Sequence, residues 1–140
     1  MTKHIALLST VAFVGLIAAA DAQTAPPATG ATYDGKYRLV SSANVNEMYT
    51  SYNGHSAMCP HRKPGPLHIE GGRAHYMTAT GYRLGGTVGP QGELTMRSEM
   101  VASSRPARIQ ASGTVDGSGT ARVRQKASAC SYDFVWQKQS

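Results

Sequence analysis

The sequence predicts an all-β fold, a small antiparallel meander of about eight strands that closes into a barrel or folds into a sandwich. Three observations predict it. Beyond residue 34 apolar residues recur at every second position in short runs, as on a half-buried strand. The runs are punctuated by Gly, Pro and Asp at hairpin-like spacing. No long stretch carries the period of an amphipathic helix.

Taken in order, Gly35 to Ser42 places Tyr37 and Leu39 on one face and Lys36 and Arg38 on the other. In PLHIEGGRAHYMT the pair Gly71 and Gly72 suits a tight turn that needs positive φ. That turn sets Glu70 opposite Arg73, Ile69 opposite Ala74, His68 opposite His75 and Leu67 opposite Tyr76. The next hairpin, YRLGGTVGPQGELTMRSEM, turns at Gly89 to Gly92, so Val88 faces Leu94, Gly86 faces Met96 and Arg83 meets Glu99. A third, IQASGTVDGSGTARVRQK, turns at Asp116 to Gly119, with Val115 facing Ala121 and Gly113 facing Val123. The last run alternates Tyr132, Phe134 and Trp136 against Ser131, Asp133, Val135 and Gln137, with Cys130 on the aromatic face. The inward set adds Leu84 and Ile109, and its bulk is enough to fill a small barrel, so a packed interior is expected rather than a large ligand cavity.

The chain ahead of this domain reads as an export signal. Lys3, the apolar stretch Ile5 to Ala20 and the triplet Ala20, Asp21, Ala22 predict cleavage after Ala22. The apolar stretch is short for a bilayer span, so the mature protein is not expected to cross a membrane; an uncleaved anchor is the alternative. The expected organisation is a signal peptide over 1–22, a small-residue, Pro-bearing flexible spacer over 23–33, and one domain over 34–140. The destination is the periplasm or the exterior. Loss of Lys3 and Asp21 leaves the net charge at +6. That balance favours acidic partners, such as phosphorylated lipid or acidic glycan. Nucleic acid is not expected, because the chain is exported and its aromatic residues fall on the face opposite the basic ones.

The sequence has two cysteines, Cys59 and Cys130. In an exported chain their pairing is the economical reading, with a reactive or metal-binding thiol as the alternative. A bridge closing so long a loop stabilises by about 4 kcal/mol in the chain-entropy model.

Residues 43–66, ANVNEMYTSYNGHSAMCPHRKPGP, form the one long connection. Ordered long loops are often functional, and Cys59 would tether this one to the final strand. Its candidate contacts are Tyr49, Tyr52, His61, Arg62 and Lys63, with His55 nearby. The plainer reading is a partly ordered insertion with a helical turn at Val45 to Tyr52.

Two further constellations carry chemistry. His68 and His75, cross-strand neighbours with Cβ atoms about 5 Å apart, could share a metal ion with Glu70 as a third ligand, or sense pH. Arg108, Arg122, Arg124 and Lys126 share one outer face and could meet phosphate or carboxylate oxygens. The plainer reading of either group is a solvated β face, with Glu70 simply pairing Arg73. No nucleophile elbow, phosphate-cradling glycine loop, zinc-protease helix or redox cysteine pair is present, so neither catalysis nor a cofactor is expected.

The run GTVGPQGELTMRS, the DGSG turn and the closing CSYDFVWQK resemble small exported bacterial β-rich proteins of unassigned function, over residue 66 to the end. The resemblance implies a signal peptide and a compact β fold and supplies no site residues. The opening GKY is similar to the start of lipocalin-like and avidin-like barrels, although the crowded interior argues against their cavity. The expectation is a noncatalytic surface-binding module of the cell envelope, acting through the 43–66 loop or the basic face. The alternatives are an inhibitor of an envelope or secreted hydrolase, and a metal-binding protein using His68 and His75.

Overall fold

Alternation at this density dictates sheet, and in the computed structural model it closes on itself. Residues 30–99 and 108–140 are described. The expected signal segment and most of the spacer lie outside them. Gly30–Tyr33 form a 3₁₀ turn, η1. The strands are β1 (Gly35–Asn44), β2 (Met48–Thr50), β3 (Ser56–Met58), β4 (Leu67–Glu70), β5 (Arg73–Met77), β6 (Arg83–Val88), β7 (Glu93–Ser98), β8 (Ile109–Val115), β9 (Thr120–Ala127) and β10 (Cys130–Lys138). Eight of them hydrogen-bond as a closed barrel in the order β1-β10-β9-β8-β7-β6-β5-β4, while β2 and β3 form a separate ribbon. The architecture is the barrel, not the sandwich. Among the described residues no helix is long and apolar enough to cross a membrane.

Closure depends on β1. It pairs antiparallel with β10 along nearly its whole length and, at Gly35 to Tyr37, with β4 as well, so the barrel keeps no free edge. Glycine permits the tight coiling: a Cβ at Gly86 would run into the Thr95 carbonyl, and one at Gly113 into that of Arg122. The hairpin registers agree with the alternation, with His68 opposite His75, Val88 opposite Leu94 and Val115 opposite Ala121. Gly71 and Gly72 both take positive φ, 56° and 76°, as a two-residue primed turn requires. A register shift between Leu39 and Ser41 breaks the phase of β1. Leu39 is consequently only partly buried against the core and Val40 faces solvent.

Trp136, Tyr37, Tyr76 and Phe134 are the largest fully buried side chains. Phe134 meets Trp136 edge-on at 5.5 Å between centroids, and Tyr76 tilts against Trp136 at 5.1 Å. Burying each such ring stabilises by roughly 1.5–3 kcal/mol, more than any exposed ion pair on the outside. Their polar atoms find partners: the Tyr37 hydroxyl donates to the Tyr33 carbonyl, and Trp136 Nε1 donates to the Gly65 carbonyl at 3.0 Å.

The strand directions give the barrel two unlike ends. At one lie the turns at 71–72, 89–92 and 116–119 together with η1. There Tyr33 packs against the core, so the last four residues of the expected flexible spacer are structured. At the other end, the mouth, lie the 78–82 turn, the Ser128 and Ala129 turn, and the long excursion between β1 and β4.

That excursion begins later than the sequence suggests, because Ala43 and Asn44 still pair with Asp133 and Tyr132. The expected helical turn at Val45 to Tyr52 is absent. Met48–Thr50 instead pairs with Ser56–Met58, placing Tyr49 opposite Ala57. The physical reason is the Asn53-Gly54 step, a hairpin signal, with Gly54 at φ 76° and the Ser51 amide donating to the His55 carbonyl at 2.7 Å.

Candidate functional site

The mouth is built by a covalent and hydrogen-bonded tie. Cys59 and Cys130 form a disulfide with Cα atoms 5.7 Å apart, joining the excursion to the first residue of β10. Asn46 reinforces it, since its Nδ2 donates to the Ala129 carbonyl at 2.9 Å and its Oδ1 accepts from the Ser131 amide at 2.8 Å. Asn44 Nδ2 donates to the Cys59 carbonyl at 2.7 Å. Farther along, Ser42 Oγ donates to the Arg62 carbonyl, and the Gly65 amide donates to the Met77 carbonyl at 2.8 Å. The long connection is therefore ordered by backbone and side-chain contacts at both its ends.

Beneath this tie opens a pocket of ≈ 220 Å³. Phe134, Tyr132, Ile109 and Ala127 form its apolar lining, Tyr49 flanks it from β2, and Arg62, Thr80 and Ser128 stand toward solvent. The expected packed interior holds for most of the barrel and gives way here, where Ala127 and Ala129 leave room beneath the disulfide. Gln125 lies deep in the pocket at 4 % exposure. Its Oε1 accepts a hydrogen bond from the Tyr76 hydroxyl at 2.8 Å. Thr78, also buried, turns its hydroxyl to the local turn, accepting from the Tyr82 amide at 3.0 Å.

Arg62 carries the one formal charge among the residues lining the pocket, and it makes no ion pair among the described residues. Among the described residues the lining contains no carboxylate, imidazole or free thiol. Its polar side chains are Arg62, Gln125 and the hydroxyls of Tyr49, Thr78, Thr80, Ser128 and Tyr132.

The excursion residues divide. Tyr49 and Arg62 reach the pocket, whereas Tyr52, His55, His61 and Lys63 are exposed outside it, Tyr52 fully so at the ribbon's turn. Gln125 and Thr78 were not legible as site residues. The signal for Gln125 was its phase, since it stands two residues past the inward Val123 as a polar residue on an apolar face.

The basic stripe changes character. Arg122, Arg124 and Lys126 do share the outer face of β9, and Arg108 is exposed just ahead of β8. However, Arg124 is bound by both carboxylate oxygens of Asp133, each at 2.8 Å, and Arg122 pairs with Asp116 at 3.4 Å. The guanidinium hydrogen bonds hold the Asp133 carboxyl below its ordinary range, and hydrogen bonds from Ser118 and then Thr120 do the same for Asp116. Two of the four charges thus already have anionic partners.

His68 and His75 meet as the register requires, but their rings stack with centroids 5.1 Å apart and planes only 7° from parallel. In this arrangement the ring lone pairs lie in two parallel, separate planes and do not converge on one point. Among the described residues no group of three potential ligands comes together. Burial, then the charges of Arg83 and His68, lowers the His75 pKa.

No protein-family model, curated protein or solved structure matches the chain.

Proposed function

We propose that this is an exported, noncatalytic binding module of the cell envelope, periplasmic or secreted, that takes its ligand at the disulfide-tied mouth rather than on the basic face. The observation that carries this reading is the asymmetry of the barrel. Tight turns and η1 occupy one end, while the other holds a ≈ 220 Å³ pocket under an excursion fixed by Cys59–Cys130 and Asn46. A disulfide belongs to an oxidising compartment, in keeping with export. The compensation of Arg122 and Arg124 by aspartates favours the mouth over the outer face of β9. The test is amide-resolved NMR of the exported protein titrated with small sugars, amino acids, short acids and phospholipid headgroups. Shifts are expected to gather at Tyr49, Thr80 and Ala127 to Tyr132; shifts confined to the outer face of β9 would replace the mouth with the basic face.

A second reading, inhibition of an envelope or secreted hydrolase, is favoured by one observation. The β2–β3 ribbon is ordered, tethered and tipped by a fully exposed Tyr52 with exposed Met48 and Met58 alongside. An ordered projection meets the entropic cost of docking before binding. Rate assays against glycan hydrolases and proteases, with Tyr52→Ala as comparison, test it: no slowing by the wild type rejects this reading.

A further inference from the structure

We propose that the mouth pocket is a site for a small monocarboxylate whose single ring, or chain of similar bulk, bears one hydrogen-bond acceptor. This rests on the mouth being the binding end and adds the chemistry of what binds there. Volume sets the size. An apolar cavity of about 150 Å³ holds benzene, so ≈ 220 Å³ accommodates one ring with short substituents. The lining sets the body of the ligand, because Phe134, Tyr132, Ile109 and Ala127 offer ring faces and methyl groups.

The polar groups set its ends. Arg62, half-buried and without an acidic partner among the described residues, offers a forked donor to a carboxylate at the outer side of the pocket. Among the described residues Arg62 is the one cation of the lining, which suits a monoanion better than a phosphate dianion. Deeper in, Gln125 is 4 % exposed and its Oε1 is committed to the Tyr76 hydroxyl, whereas Nε2 makes no hydrogen bond among the described residues. A purely apolar ligand would seal that donor away from water without a partner, which is costly; a ligand hydroxyl or carbonyl would satisfy it. The Thr78 hydroxyl is engaged within the turn by Tyr82 and Thr80.

The test uses the exported protein with its disulfide intact and four probes: 4-hydroxyphenylacetate, phenylacetate, and the amides of both. NMR titration is expected to show saturable shifts around Tyr132 and Ala127, with each acid binding about tenfold tighter than its amide and the hydroxylated acid tightest. Arg62→Gln should abolish the preference for acid over amide while keeping the preference for the ring hydroxyl. Gln125→Leu should do the reverse. Each variant is checked for an unchanged Trp136 emission maximum, and this opposite pattern of losses is one that a general loosening of the fold does not produce. Binding at the mouth with no acid preference, or an Arg62→Gln variant that weakens acids and amides alike, overturns the carboxylate assignment and leaves the mouth as the binding end. No shift at the mouth with any of the four probes at millimolar concentration overturns the assignment, while the broader solute panel separately decides whether the mouth binds at all.

Discussion

Tyr76 on β5 and Gln125 on β9 reach across the interior of the barrel to form a buried hydrogen bond, phenol to amide oxygen, at 2.8 Å. The contact joins strands far apart in the sheet order and sits where the packed core meets the mouth pocket. Tyr76→Phe would remove the donor and leave the amide oxygen sealed without a partner. A loss of about 1–3 kcal/mol is expected from urea unfolding, and Tyr76→Phe combined with Gln125→Leu should recover part of it, because both polar groups then disappear together. A double variant as unstable as the sum of the singles would show that the two residues do not interact.

The same burial makes the fold sensitive to alkali. Desolvation raises the Tyr76 phenol above its ordinary value, and it raises Tyr37 too, aided by the charges of Asp34 and Asp116. A folded-state pKa above the unfolded value means that the contribution to stability is complete below the unfolded pKa and drains as pH rises past it. Stability is therefore expected to fall from about pH 10 upward. Urea midpoints measured from pH 8 to 11 check this, and Tyr37→Phe should flatten the upper part of the slope if it folds; midpoints level across the range would contradict the assignment.

Much of the barrel is legible in the residues because two signals coincide at each main hairpin. At 66–78 the Gly71-Gly72 turn and the alternation of Leu67, Ile69, Ala74 and Tyr76 permit a single register, and the structure has it. At the 116–119 turn Asp116 caps its own loop through Ser118 and Thr120, again with matched apolar faces on either side. The ribbon β2–β3 escaped because three-residue strands are too short to display alternation, even though Asn53-Gly54 marks their turn. The pocket escaped for a different reason. Phase alone puts Gln125 inside, but only the closed barrel brings Tyr76 to it, and only the path of the excursion brings Arg62 to the rim. The pairing of Arg124 with Asp133 likewise depends on the register of β9 against β10.

His75 gives an acid response of opposite sign to the tyrosines. Burial depresses His75, Arg83 and His68 add to the effect, and Glu99 and Glu70 oppose it. The contribution is complete above the unfolded value of about 6.5 and drains as pH falls through the lowered folded value. Because both rings are partly exposed, the slope should be shallow. Melting temperatures from pH 7.5 to 4.5 should decline more steeply for the wild type than for His75→Gln, and parallel curves would remove His75 as the source.

The disulfide acts on the mouth more than on the barrel. Every barrel strand is held by two neighbours, whereas residues 45–66 hang between β1 and β4 and return to the barrel through Cys59, Asn46 and Gly65. Replacing Cys59 and Cys130 with Ser should cost about 4 kcal/mol in global stability by the chain-entropy account. Locally, amide hydrogen exchange in 45–59 should rise by orders of magnitude more than exchange in β8 or β9, whose hydrogen bonds do not involve the excursion. Asn46→Ala provides a finer probe with the disulfide intact. It removes the bonds to Ala129 and Ser131, so exchange is expected to quicken around Met48 and Ser131 while the urea midpoint moves little. If the double Ser variant protects 45–59 as well as the wild type does, the ribbon is held by its own hairpin and the mouth keeps its shape without the covalent tie.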